Sequence, residues 1–313
     1  MRRFLRVLVA AGLLGVLAGA PCFAAGETLA QSQTPPAVTA DAAPAKRSLP
    51  GKAIDAAKNA ASRAGDVLTR IPCLSPKGAV SASLPRVARK LHAGEPITIV
   101  ALGSSSTAGY GTTSSAYTYP SRLAEQLRRK YPRARITVIN RGMGGQEVRQ
   151  MMARLQSSVL DSNPDLVIWQ LGTNLVVRGE DSSGIAALVE AGVAKIQAAG
   201  ADVVLIDPQY VPAVTARKEG ASRMVKLISE VARLRHASVF PRFEVMRQWH
   251  EDEKLPFESF SISDGLHMND WGYACFAQLL GDTIIKSVGE AKIQPGTEPG
   301  AERSGSVISL RPM

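Results

Sequence analysis

The stretch ITIVALGSSSTAGYG, Ile97 to Gly111, sets how the rest of the chain is read. Its first six residues are mostly apolar, rich in β-branched side chains and stopped by Gly103, which predicts a short buried strand. Three hydroxyls follow at once, Ser104, Ser105 and Ser106. In open α/β sheets ligands bind beyond the carboxyl ends of the strands, so the serines stand where a site would be built. A serine-rich turn is also an ordinary way to leave a strand. Partners elsewhere in the chain must decide between the two.

From Ile97 onward strand and helix signals alternate, the mark of a parallel sheet covered on both faces. Strands are predicted at Ile97–Leu102, Arg135–Asn140, Asp165–Leu171, Ala201–Ile206 and Ser238–Phe240. Helices are predicted at Tyr119–Tyr131, Gln146–Leu155, Ile185–Ala199, Glu219–His236, Arg242–His250 and Asp270–Ser287. Pro120 in a first turn and Gly200 after a last one are the expected helix punctuation. The expectation is one three-layer α/β/α domain over residues 95–288 with a five-stranded parallel sheet, a flavodoxin-like arrangement.

The flanks read differently. Met1–Arg6 is basic, Val7–Ala20 is apolar and small residues surround Ala24, the layout of a secretory signal over residues 1–24. The apolar run is short for a membrane span, so no transmembrane segment is expected after cleavage, and the expected location is periplasmic or secreted. Residues 25–94 read as an Ala/Pro-rich linker with a helical candidate at 52–70 and a further short helix at 85–92. Residues 289–313, rich in Pro, Gly, Ser and Glu, read as an unfolded tail. Export would leave Cys73 and Cys275 in an oxidising compartment. A disulfide between them is allowed and would stabilise by at most about 5 kcal/mol in the chain-entropy picture; two buried thiols are the alternative.

The formal charge of the whole chain is +10, from 37 basic and 27 acidic side chains. Without Arg2, Arg3 and Arg6 it is 34 against 27, or +7. The charge is spread over helices and both tails, with no dense basic run and no interleaved aromatics, so nucleic acid is not an expected partner. An acidic polysaccharide or an anionic lipid is compatible with it.

Four strand ends carry polar or glycine clusters, and a parallel sheet brings them to one edge. They are Gly103–Thr107, Asn140–Gly145, Gly172-Thr173-Asn174 and Asp207–Tyr210. Late in the chain comes Asp264-Gly265-Leu266-His267, whose spacing lets a carboxylate hold one imidazole nitrogen and leave the other free. Acyl transfer needs a nucleophile, a base, a group that orients the base, and donors for an oxyanion. A serine of the first loop, His267, Asp264, and backbone N–H groups at the serine and Gly145 with the Asn174 amide meet each need once. A helix starting at Gly145 would aim its N–H groups at the anion. The residues themselves do not choose among Ser104, Ser105 and Ser106. His92, His236 and His250 lack a comparable acidic neighbour.

GSSST, NRGMGG, GTN and DGLH, in this order and at these strand ends, resemble the four blocks of the SGNH (GDSL-type) hydrolase family. The resemblance spans about residues 97–280. It implies Ser105 as nucleophile, Gly145 and Asn174 as oxyanion residues, and Asp264 and His267 as the rest of the triad. Two positions depart from the pattern: Ser104 stands where the family often has Asp, and Leu175 where Asp often follows the Asn. Met143 and Tyr210 lie in loops expected to line a substrate pocket. No metal or organic cofactor is expected.

Rival motifs fail. GxxxxGK[ST] is absent, Gly142-x-Gly144 lacks the third glycine of a dinucleotide site, and Thr107 occupies the last position of a GxSxG elbow. A lone DxxH is too sparse for a metal hydrolase. The expected activity is therefore that of an exported serine esterase acting on a short-acyl ester, such as O-acetyl groups on polysaccharide. A lysophospholipase or thioesterase, and a non-catalytic carbohydrate-binding protein on the same fold, are the alternatives.

Overall fold

The computed structural model describes Cys73 and residues 82–291. The expected signal segment at 1–24, the helical candidate at 52–70 and nearly all of the expected tail lie outside the described residues, as does most of the expected linker. Five parallel strands form one sheet: β1 (Ile97–Gly103), β2 (Ile136–Gly142), β3 (Leu166–Gln170), β4 (Asp202–Ile206) and β5 (Ser238–Phe240). Their order across the sheet is β2-β1-β3-β4-β5. β1 pairs with β2 from Ile97–Ile136 to Gly103–Gly142, and with β3 from Ile99–Leu166 to Leu102–Trp169. The chain thus runs from β1 out to the edge strand β2 and crosses back to β3. That reversal makes a topological switch point at the carboxyl ends of β1 and β3.

In chain order the helices are α1 (Pro85–Ala93), α2 (Ser105–Ala108), α3 (Tyr119–Lys130), α4 (Val148–Ala153), α5 (Leu155–Ser158) and α6 (Thr173–Arg178). They continue with α7 (Ile185–Ala198), α8 (Pro212–Thr215), α9 (Lys218–Leu234), α10 (Arg242–Arg247) and α11 (Asp270–Glu290). α11 packs on α3 and α1 to form one layer, while α7 packs on α4 and α9 to form the other. This is the three-layer architecture expected from the alternating pattern. β3, with both faces covered, is buried at every position from Leu166 to Gln170, as a central parallel strand must be. Helix starts follow local chemistry: the Asn269 side chain accepts from Gly272 N–H at 2.9 Å to cap α11.

Three boundaries differ from expectation. Packed structure begins before residue 95: Leu84, Val87, Ala88 and Leu91 are buried in the core. α1 is anchored by Val87 N–H donating to Asp202 at 2.9 Å and by Arg86 Nε and Lys90 Nζ donating to Asp165 at 2.7 and 3.0 Å. Those partners lie 75 to 115 residues away, so a compositional window over 25–94 does not register them. The helix expected from Gln146 to Leu155 is two, α4 and α5, parted at Arg154. At the break the Arg154 guanidinium donates to Gln146 Oε1 (2.7 Å), Arg141 O (2.8 Å) and Gly103 O (3.3 Å). The helix expected at Arg242–His250 ends at Arg247 and widens into a single π-type turn over Gln248–Asp252.

Cys73 and Cys275 form a disulfide, with Cα atoms 5.4 Å apart across 202 residues of sequence. It fastens the segment preceding α1 to the buried face of α11. Among the described residues no helix is long and apolar enough to cross a membrane.

Candidate active site

The serine turn is held from both neighbouring strands. Ser104 is 2% exposed, and its N–H and its hydroxyl both donate to Gln170 Oε1 at 2.9 Å. Gln170 is the last residue of β3 and is itself buried. From the β2 side, Asn140 Nδ2 donates to Thr107 O at 2.8 Å. Gly142 lies so close to α2 that a Cβ there would fall 2.0 Å from Ala108 N. The glycine in the second cluster is therefore a matter of space, since only a residue without a side chain lets β2 and α2 meet. Ser105 is left half-buried at the first position of α2.

Asp264 and His267 meet Ser105 from the far end of the chain. Asp264 Oδ1 accepts from the N–H groups of Leu266 (2.8 Å) and His267 (2.9 Å), and Oδ2 lies 2.6 Å from His267 Nδ1. His267 Nε2 is 2.8 Å from Ser105 Oγ. Burial pushes the Asp264 carboxyl up, but the hydrogen bonds from the His267 ring and from the two backbone N–H groups outweigh it and hold the group below its ordinary value. An ionised carboxylate on Nδ1 fixes the tautomer that leaves Nε2 able to accept a proton. Of the three serines left open by the sequence, Ser105 is the one in contact with the imidazole. Ser104 is turned toward Gln170, and Ser106 lies 3.4 Å from Gln209 Nε2.

Gly145 and Asn174 are brought to one loop. Met143 N–H donates to Gly103 O at 3.0 Å, which starts that loop beside the end of β1. Gly145 adopts φ +74°, a conformation natural to glycine. Asn174, on the first turn of α6, donates from Nδ2 to Gln146 O at 3.1 Å. An amide NH2 carries two hydrogens, so this contact positions the group and engages only one of them. α4 starts at Val148 rather than at Gln146 as expected, and it is six residues long. The intervening turn is shaped instead by α6, whose Arg178 Nη2 donates to Gly145 O at 2.8 Å.

Arg178 Nη1 also stands 3.8 Å from Glu147, whose side chain is 6% exposed. Glu147 and Gln150 form a capping box at the start of α4, with Gln150 Oε1 accepting from Glu147 N–H at 2.9 Å. Burial pushes the Glu147 carboxyl up to about 7, with Arg178 opposing and Glu180 reinforcing the shift.

Gln170 and Arg242 belong to no motif, and Thr173 and Gln209 lie in strand-end clusters without an expected role, yet all four join the loops. Gln209 Nε2 donates to Leu266 O at 3.0 Å, and its Oε1 accepts from Thr173 Oγ1 at 3.0 Å. Arg242, fully buried, donates from Nε to Asp207 O at 3.1 Å. Burial raises the Asp207 carboxyl to about 7 against the pull of Phe243 N–H and Arg242. One signal for this layer was in the sequence: Gln170 is a polar residue at the end of an otherwise apolar strand, and a buried polar group needs a partner.

Met143 is exposed on the Gly145 loop. The Tyr210 hydroxyl donates to Glu251 at 2.5 Å, and its ring packs against Phe243 and Phe257. Tyr110, which no motif singles out, has its ring centroid 4.4 Å from that of His267. His92 and His250 contact the backbone carbonyls of Ala88 and Leu255. Among the described residues no group of three or more His, Cys, Asp or Glu is placed to hold a metal ion.

Residues 72–290 match the sequence profile of the non-GDSL lipase-like family. The chain belongs to the non-GDSL lipase-like family. The family match supports the wider resemblance to SGNH-like hydrolases and does not extend to the GDSL-type label. Of the two departures from the pattern, Ser104 has both of its donors received by Gln170. No curated protein sequence matches the chain.

Solved structures of the same fold include a two-domain esterase active on acetylated mannans, with TM-score 0.56 and 23% identity over 70% of this chain. The chain spans 58% of that protein's length. A variant of Axe2, an acetyl-xylooligosaccharide esterase from Geobacillus stearothermophilus, gives TM-score 0.51 and 18% identity, covering 64% of this chain and 97% of that one. TesA gives 0.53 and 19%, covering 61% and 99%. At these identities the likeness is one of fold. The lipase-like family's profile begins at residue 72, so it takes in α1 and Cys73 as well as the sheet.

Proposed function

We propose that this protein is an exported serine esterase that cleaves short-acyl esters, O-acetyl groups on polysaccharide in particular, through an acyl-Ser105 intermediate. The observation that carries the reading is the run of contacts Ser105 Oγ–His267 Nε2 at 2.8 Å and His267 Nδ1–Asp264 Oδ2 at 2.6 Å. His267 takes the Ser105 proton as the hydroxyl oxygen attacks the ester carbonyl carbon. The carbonyl oxygen becomes an oxyanion that accepts from Ser105 N–H, Gly145 N–H and the second hydrogen of Asn174 Nδ2. The bond to the alcohol oxygen breaks as His267 delivers the proton to it. Water, deprotonated by His267, then attacks the acyl carbon and releases the acid and free Ser105.

The substrate class is supported by fold relatives that act on acetylated mannans and on acetylated xylooligosaccharides. Export is supported by the basic-then-apolar order of residues 1–24 and by the Cys73–Cys275 disulfide, a bond that persists in oxidising compartments. The test is acetate release from acetylated xylan and from a series of alkyl esters, with Ser105→Ala as control. Loss of at least about 1,000-fold in Ser105→Ala and a preference for acetyl are expected. Preference for octanoyl or longer chains would favour a lysophospholipase or thioesterase. Oligosaccharide binding without any hydrolysis would leave a carbohydrate-binding protein.

A further inference from the structure

Four large apolar side chains are exposed among the described residues, and two of them, Tyr110 and Met143, lie in the segments that follow β1 and β2. Met143, 49% exposed, stands two residues before Gly145 in the chain, and Tyr110, 60% exposed, has its ring against His267. Tyr110 is a built feature. Its N–H donates to Ser105 O at 3.0 Å, and its carbonyl accepts from the Tyr273 hydroxyl at 2.8 Å. The glycines on either side, Gly109 and Gly111, have φ of +97° and +94°. A Cβ on Gly109 would lie 2.2 Å from Thr118 Cγ2, and one on Gly111 2.4 Å from Met268 O. The turn is therefore locked in a shape that only glycine neighbours permit, and the tyrosine at its apex is pushed outward against the imidazole.

Holding an aromatic ring mostly in water contributes little to folding, because little of its apolar area is removed from solvent. A rigid exposed ring does lower the cost of binding, since nothing must be ordered when the ligand arrives. Its place defines which half of the ester it meets. His267 returns its proton to the departing alcohol, so a ring in contact with His267 lies on the alcohol side of the ester.

We propose that Tyr110 is the platform for the alcohol half of the substrate, its ring receiving the apolar C–H face of the pyranose that carries the ester. This rests on the acyl-Ser105 reading. Tyr110 selects sugar esters over esters of simple alcohols, and the acyl group is bound elsewhere.

The test compares O-acetylated xylooligosaccharides with ethyl acetate, which has no ring to stack, on the full-length protein and on Tyr110→Ala and Tyr110→Trp. In Tyr110→Ala the ratio of kcat/KM for the sugar ester to that for ethyl acetate falls about tenfold, mainly through KM. Tyr110→Trp, which keeps an aromatic face, restores the ratio to within about twofold of wild type. A binding arm uses Ser105→Ala protein and calorimetry with the same oligosaccharide, where adding Tyr110→Ala weakens affinity about tenfold.

Equal loss on both esters would mean that Tyr110 acts through His267, and would overturn the proposal. So would an unchanged ratio, or failure of Ser105→Ala protein to bind the oligosaccharide while wild type hydrolyses ethyl acetate. If wild type hydrolysed neither ester and a serine-reactive phosphonate did not label Ser105, the esterase reading itself would fall. Calorimetry on wild type against Tyr110→Ala would then decide the platform alone.

Discussion

Asn174→Ala separates the oxyanion donor from the scaffold around it. In the proposed mechanism one Nδ2 hydrogen reaches the oxyanion while the other holds Gln146 O at 3.1 Å. Alanine removes both. The scaffold loss is limited, because three other contacts still pin the loop: Met143 N–H to Gly103 O at 3.0 Å, Arg178 Nη2 to Gly145 O at 2.8 Å, and Arg154 Nε to Gln146 Oε1 at 2.7 Å. A single lost hydrogen bond to a carbonyl costs about 1–3 kcal/mol of stability. Loss of a preorganised oxyanion donor costs about 100- to 1,000-fold in kcat.

The expected result is a kcat drop in that range with KM within about threefold, because the donor acts on charge that develops only in the transition state. The assay is acetate release from ethyl acetate by pH-stat, with active-site titration by a phosphonate to count competent Ser105. Arg178→Ala is the control, since it loosens Gly145 and leaves the Asn174 donor in place. A kcat loss under about tenfold in Asn174→Ala would refute the assignment of Asn174 as an oxyanion donor.

Two further outcomes concern stability. Asp165 is buried and receives Arg86 Nε at 2.7 Å, Lys90 Nζ at 3.0 Å and Thr98 N–H at 2.9 Å, linking α1, β1 and β3. Asp165→Asn is expected to cost about 2–3 kcal/mol in urea unfolding at neutral pH, below the full cost of breaking a buried pair because Arg86 is partly in water. Burial raises the Asp165 carboxyl, but its hydrogen bonds from Thr98, Lys90 and Arg86 outweigh that and hold it low. Its contribution is therefore complete above the ordinary carboxylate value and fades as pH falls through the depressed one, so the gap to wild type narrows in acid; a gap that widened there would contradict the account. For Glu147 the sign reverses. Its carboxyl is raised from 4.5 to about 7, so its contribution is present below the ordinary value and is lost as pH rises through about 7. Thermal melts of Glu147→Gln should gain on wild type as pH is raised across that window, and a constant difference would show that Glu147 stays ionised throughout.

Much of the fold and part of the site were legible in the residues themselves. Alternating apolar runs and amphipathic helices dictate a parallel sheet, because a strand as apolar as Leu166–Trp169 must be covered on both faces. Ordered glycine and hydroxyl clusters at its strand ends then converge for topological reasons. The Asp264–His267 contact follows from local spacing, since a carboxylate three residues ahead can reach Nδ1 and cap the intervening N–H groups. Which serine meets the imidazole is another matter. Ser104, Ser105 and Ser106 are chemically alike, and only the packing of Gln170 on one, Gln209 near another and His267 against the third tells them apart. The roles of Arg178, Arg154 and Tyr110 likewise depend on partners 33, 8 and 157 residues distant. Periodicity determines which face of an element is buried, whereas the hydrogen-bond partner of a long polar side chain exists only once the chain has closed.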